Sequence, residues 1–220
     1  MSIIRKGLDV VVGAPMRHVA YHVAKAAVHR KYVFELDIDP RVYAVKQGAI
    51  VAAKHAHRDD GPLLIVLAWP WARLRPLVYH KEYKHPLQWP FMVTVGAVPG
   101  GDGTTHRGQK PGEIISALLQ HGWGVLIFPG GRVVHDGVTE VPPRAATVFN
   151  ALKDNPGKPL VMVRTEGLGR DEPQRRDPTT GKPIVKIIAR QFNPDLSRGP
   201  DEFNRSMAAN LNSGVAIPEA

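Results

Sequence analysis

Residues 48–69 read GAIVAAKHAHRDDGPLLIVLAW. The first six are small and apolar without a break, the pattern of a short strand buried on both faces. At Lys54 the chain turns polar, and His55, His57, Asp59 and Asp60 crowd the connection. Residues 61–69 are apolar again and begin as a helix. A strand that hands over to a helix through a polar connection is the repeating unit of α/β proteins, whose functional loops lie at strand ends.

The same alternation continues downstream. Residues 75–80 are the next strand candidate, and residues 92–98 are apolar beside a Gly-rich loop at 99–108. Residues 111–121 predict a helix: Pro111 suits a first turn, Glu113 faces its positive end, Ile114, Ile115, Leu118 and Leu119 supply an apolar stripe, and Gly122 stops it. GVLIF at 124–128 is a strand that runs into Pro129, Gly130, Gly131 and Arg132. Residues 160–163 and 184–188 are two further strands, separated by a polar stretch at 165–182 long enough for a lid, an insertion or a disordered loop. Residues 201–212 read as a closing helix. The whole is an α/β chain with a central sheet and no internal repeat.

The first 31 residues differ from the rest. Ile3, Ile4, Leu8, Val11 and Val12 alternate with Arg5 and Lys6, and a break at residues 13–15 follows. Val19, Val23, Ala26 and Ala27 then run beside Arg17, His18, His22, Lys25, His29, Arg30 and Lys31. This is the pattern of two short basic amphipathic helices around a Gly-Pro hinge. Such helices either pack on their own domain or lie at an anionic membrane surface. The expected organisation is a helical segment at 1–31 and a single α/β domain at 32–220.

Composition narrows the field. A net charge of +9 and 43% hydrophobic residues describe a folded chain whose field favours anionic partners. There is no cysteine, which removes disulfides, thiolate metal sites and thiol nucleophiles together. The longest uncharged apolar run, residues 61–72, holds Pro70 and is too short to cross a bilayer. A cytoplasmic protein, peripheral at the membrane, is the expectation. The cations are dispersed and no nucleic-acid motif is present, so no nucleic-acid partner is expected.

Two segments carry chemistry. A carboxylate five positions after a histidine can hold the imidazole in one tautomer and stabilise the imidazolium, leaving the other nitrogen to take a proton from a hydroxyl. His55 and Asp60 have that spacing. With ten histidines in the chain, spacing alone does not separate this from a loop that happens to contain them. Phe128, Pro129, Gly130, Gly131 and Arg132 follow another strand, where glycines let backbone N–H groups approach an anion and Arg supplies a fork of donors.

In this order the two segments resemble the glycerol-phosphate and 1-acylglycerol-3-phosphate (lysophosphatidic acid) acyltransferase family. Its H-x4-D motif matches His55 to Asp60 in KHAHRDDGPLL, and its F-P-E-G-x-R block matches Phe128 to Arg132 without the Glu. Lys81, Glu82, Tyr83, Pro86 and Trp89 resemble its K-E-L…P…G-W stretch. Gly96, Ala97 and Val98 resemble its G-x-I block, and PLVMV at 159–163 resembles the apolar block that closes the signature. The resemblance covers residues 45–167. It implies a mixed sheet flanked by helices, with an amphipathic N-terminal element at the membrane. It also implies a phospholipid-biosynthetic enzyme in which His55 deprotonates the acceptor hydroxyl and Asp60 orients His55. The donor would be an acyl thioester on coenzyme A or acyl carrier protein. The acceptor would be a glycerophosphate or lysophospholipid, its phosphate held by Gly130, Gly131 and Arg132, with Lys81 beside the site. No metal and no further cofactor are required.

Two other readings start from the same residues. His55, His57 and Asp59 also resemble the H-x-H-x-D-H zinc motif of the metallo-β-lactamase fold, which would make the chain a hydrolase. A noncatalytic binding relative of the acyltransferases is the third.

Overall fold

In the computed structural model the described residues are 14–43, 48–57, 59–72, 74–79, 92, 95–100, 111–131, 133, 146–169 and 174–213. They form helix α1 (Ala14–Lys31), strand β1 (Val33–Ile38), one helical turn α2 (Pro40–Tyr43), β2 (Ile50–Ala53), α3 (Asp60–Ala72) and β3 (Leu74–Tyr79). There follow β4 (Val98–Gly100), α4 (Pro111–Gln120), β5 (Gly124–Ile127), α5 (Ala146–Asp154), β6 (Leu160–Glu166), β7 (Ile184–Phe192), a 3-10 turn (Leu196–Arg198) and α6 (Gly199–Ser213). The strands make a seven-stranded sheet in the order β1-β7-β6-β2-β5-β3-β4. Every pair is parallel except the antiparallel β6–β7 pair. The expected mixed sheet flanked by helices is the one found.

The apolar run at residues 48–53 is central. β2 stands in the middle of the sheet order, and all four of its residues are buried. Side chains alternate across a strand, so β2 serves two cores. Val51 and Ala53 join Leu126, Val161, Val163, Val185 and Ile187 under α1 and α3. Ile50 and Ala52 join Val125, Ile127, Leu160 and Met162 under α4, α5 and α6. Neither face of β2 meets water, which is why the strand reads as apolar throughout rather than alternating.

Helix α3 is apolar for a related reason. Leu63, Leu64, Ile65 and Val66 are all buried, which a helix manages only when it is covered on more than one side. The sheet covers one side and α1 another. Helix α4 follows its sequence signals: Ile115 and Leu119 are buried, and Gly122 adopts φ 76° just past the end while its N–H and that of Trp123 cap the carbonyls of Leu119 and Leu118.

The stretch at 165–182 is not one loop. Thr165 and Glu166 extend β6, pairing with Ile187 and Lys186. Asp177 organises a turn by accepting from the Thr180 N–H and hydroxyl, both at 2.7 Å, and residues 170–173 lie outside the described set. Strand β1 at the sheet edge and helix α5 are elements that periodicity had not picked out.

Of the expected N-terminal helical pair, the first member falls on residues outside the described set, and the second is α1. It begins at the expected break. Tyr21, Ala24, Val28 and Tyr32 form the stripe that packs onto the core, while Val19 and Val23 point outward, 63% and 64% exposed. The C-terminal end is tied down twice. Lys182 Nζ donates to the His29 carbonyl at 3.1 Å, a cation at the negative helix end. Asp59 accepts hydrogen bonds from Lys31 and from the Tyr32 hydroxyl, the latter at 2.6 Å.

Burial alone would raise the Asp59 carboxyl, but the hydrogen bonds from Lys31 and Tyr32 outweigh it and hold it below the ordinary 3.8. A carboxyl depressed in the fold contributes stability above its unfolded value and loses it as pH falls through the folded one. Asp59→Asn is therefore expected to cost about 1 kcal/mol near neutral pH. In urea melts the gap between wild type and variant should close only below pH 3.8. A gap that persists unchanged at lower pH, or is absent at pH 7, would show that the Asp59 charge does not hold α1.

Candidate active site

β2 is parallel to both β5 and β6, so the carboxyl ends of these three strands open on one edge of the sheet. The register sets what arrives there. Ala53 pairs with Val163, and Ala52 pairs with both Met162 and Ile127. Two residues beyond the Ala53–Val163 pair, His55 follows β2 level with Thr165 of β6, and Phe128, the first residue after β5, stands level with Ala53. In open α/β sheets this edge is where ligands bind.

From Ala53 the chain leaves the sheet and makes a tight turn into α3. The Asp60 N–H donates to the His57 carbonyl at 3.1 Å, and the Leu63 N–H donates to the Asp59 carbonyl at 3.1 Å to start the helix. The Asp60 side chain folds back into this turn and is 0% exposed. A buried carboxylate is tolerated only where donors surround it. Oδ2 accepts from the Ala56 N–H at 2.8 Å and the His57 N–H at 2.7 Å. Oδ1 accepts from the Thr165 hydroxyl at 2.8 Å, on a residue itself only 1% exposed.

His55 sits beside that carboxylate, its Nδ1 3.4 Å from Asp60 Oδ2. This is the long end of a hydrogen bond, a spacing common in sites without bound substrate. The imidazole also stacks on the Phe128 ring, with centroids 4.2 Å apart and planes 25° from parallel. Its side chain is 22% exposed. With Nδ1–H donated to Asp60, Nε2 carries the lone pair, and among the described residues it makes no hydrogen bond. With one nitrogen held and the other open, the arrangement can support general-base chemistry.

Phe128 brings the second segment to the first. The Gly131 N–H donates to the Phe128 carbonyl at 2.9 Å, closing a turn in which Gly131 has φ 67° with open space around it. Pro129 is buried and Gly130 half-buried. Arg132 and Lys81, the two cations expected beside this turn, lie outside the described residues.

His57 and Asp59 are engaged elsewhere. His57 Nδ1 accepts from the Asp59 N–H at 3.1 Å, and the Asp59 carboxylate is taken by Lys31 and Tyr32. Among the described residues no three His, Asp or Glu side chains converge as a metal site would require, so the geometry does not favour the zinc reading.

Thr165 and Tyr32 are the contributors that the sequence reading missed. Thr165 is 105 positions from the carboxylate it touches. Its signal is its place in the β6 register, level with His55, which is visible only once β6 and β2 are known to be neighbours.

Comparisons with known proteins bear on the family and the fold. The family model described as Acyltransferase matches residues 27–164, ending one residue short of Thr165. In fold the chain is similar to the crystal structure of the 1-acyl-sn-glycerophosphate (LPA) acyltransferase, PlsC, from Thermotoga maritima. The TM-score is 0.56 at 16% identity, over 98% of this chain and 85% of that one. The comparison with curated proteins finds no match. His55, Asp60 and the turn from Phe128 to Gly131 all fall inside the segment matched by the family model, which spans well over half the chain, and the protein belongs to the acyltransferase family.

Proposed function

We propose that this acyltransferase moves a fatty-acyl group from a thioester, on coenzyme A or acyl carrier protein, to a hydroxyl of a glycerophosphate or lysophospholipid-like acceptor. The observation that carries the reading is the His55–Asp60 contact at 3.4 Å with Nε2 left open. The likeness in fold to an LPA acyltransferase supports the acceptor class. In this mechanism Nε2 of His55 takes the proton of the acceptor hydroxyl as its oxygen bonds to the thioester carbonyl carbon. Asp60 stabilises the imidazolium so formed. The tetrahedral intermediate collapses, the C–S bond breaks, and the departing sulfur takes the proton back from His55. The products are an ester and a thiol, and no metal or redox cofactor enters the balance.

In the same proposal the turn from Phe128 to Gly131, with Arg132, holds the acceptor phosphate, and Lys81 is a further substrate-binding cation. Glycines permit the close backbone approach that an anion requires. The chain's net charge of +9 draws anionic substrates to the site.

Residues 1–31 serve in this reading as the membrane-facing part of an otherwise single domain. No helix among the described residues is long and apolar enough to cross a membrane. The outward face of α1 instead presents Val19 and Val23 beside exposed His18, His22, Lys25 and Arg30. Cations near an anionic surface contribute about 1 kcal/mol each, enough together for reversible docking.

Two experiments test these proposals. His55→Ala should lower transfer by about a hundred- to ten-thousandfold with an unchanged melting temperature. Mass spectrometry of the products made from glycerol 3-phosphate and from lysophosphatidate would report the acceptor. Full transfer by the variant would remove His55 from the chemistry. For the membrane, V19E/V23E should release the protein from anionic vesicles at low salt while leaving turnover of a soluble short-chain donor intact, and added salt should weaken wild-type binding. Truncating the helix is the poorer test, because Tyr21, Ala24 and Val28 belong to the core. Vesicle binding that is indifferent to both changes would refute the docking face.

A further inference from the structure

Strand β6 carries a residue whose placement the fold specifies closely. Val161 and Val163 point to the face covered by α3, and by the two-residue period of a strand Thr165 does the same. Its backbone is held by the antiparallel ladder opposite Ile187. The next turn is fixed by Gly167, where φ is 85° and an added Cβ would lie 2.6 Å from the Ile184 carbonyl oxygen. The Thr165 hydroxyl is thereby delivered to the N-terminus of α3, where it meets Asp60 Oδ1 at 2.8 Å.

The four contacts of Asp60 divide unequally between its oxygens. Oδ2 faces the Ala56 N–H, the His57 N–H and His55 Nδ1. Oδ1 has Thr165 alone among the described residues. Without that hydroxyl, Oδ1 would be a buried acceptor with no donor, and the carboxylate would gain by rotating to share the backbone N–H groups between its two oxygens. Rotation moves Oδ2 off the line to His55. A β-branched side chain such as threonine is stiff about χ1, so the hydroxyl is held in place rather than recruited.

We propose that Thr165 is a positioning residue for the reaction: it fixes the rotation of the Asp60 carboxylate, and through it the tautomer and aim of His55. The inference rests on the reading of His55 as general base and adds a third member, from the far strand of the parallel trio, to the pair. Thr165 is 1% exposed and its hydroxyl is given to Asp60, so it acts through Asp60 and its loss falls on kcat.

The test compares T165V, which keeps the shape and removes the hydroxyl, with T165S, which keeps the hydroxyl. T165V should lower kcat by about ten- to a hundredfold, the size expected for losing a hydrogen bond to a charged group, with little change in KM for donor or acceptor. T165S should recover most of the loss. In parallel, 15N NMR of the imidazole in ring-labelled protein should show His55 predominantly as the Nδ1–H tautomer in wild type and T165S, and as a mixture in T165V. Should T165V fail to fold, T165A against T165S carries the same comparison. Wild-type kcat and tautomer in T165V would overturn the proposal, as would equal impairment of T165V and T165S. If the wild type transfers no acyl group to any acceptor, the acyltransfer chemistry fails, while the tautomer measurement still decides the role of Thr165.

Discussion

A carboxyl group with no exposure to water has to find hydrogen-bond partners for both of its oxygens. Asp60 meets that demand with two backbone N–H groups of its own turn, a hydroxyl from β6 and the imidazole of His55. Much of the local architecture follows. The chain has to leave β2 in a turn tight enough to aim the N–H groups of Ala56 and His57 at one point. α3 has to begin at Asp60, and β6 has to lie beside β2 so that Thr165 can reach across. The site and the sheet order are in this sense one constraint, because the residues that satisfy Asp60 come from the end of β2 and from β6, which the sheet order makes neighbours.

The same turn also reaches outward. Asp59 precedes the buried carboxylate, starts α3 with its carbonyl and accepts hydrogen bonds from Lys31 and Tyr32 at the end of α1. Adjacent aspartates therefore face opposite ways, Asp60 into the site and Asp59 toward the N-terminal helix. α1 is bonded to the segment that carries His55, and its Val19 and Val23 remain exposed.

What was legible in the sequence and what was not divides along physical lines. β2 and α3 were readable because burial on two sides leaves no room for polar residues. α4 was readable because Pro111, Glu113 and Gly122 each do a local job. β1 was not: Glu35 and Asp37 make it look like a polar connection, and their partners Arg175, Lys186 and Arg190 come from residues far along the chain. β6 was read too short because Arg164, Thr165 and Glu166 are polar, although the ladder to β7 continues through all three. That shortening hid Thr165 inside a supposed loop. The His55–Asp60 pairing was anticipated from spacing and from resemblance together. The donors that satisfy Asp60 were not, since two are backbone groups and the third depends on tertiary register.

The central claim is that His55 and Asp60 act as one unit, a base and the group that holds it. A double-mutant cycle measures this most directly: kcat for acyl transfer by wild type, H55A, D60N and H55A/D60N. Groups that work as a unit give strongly non-additive losses. The double variant should be no slower than the slower of the two single variants. Losses that multiply, so that D60N costs as much without His55 as with it, would contradict the account.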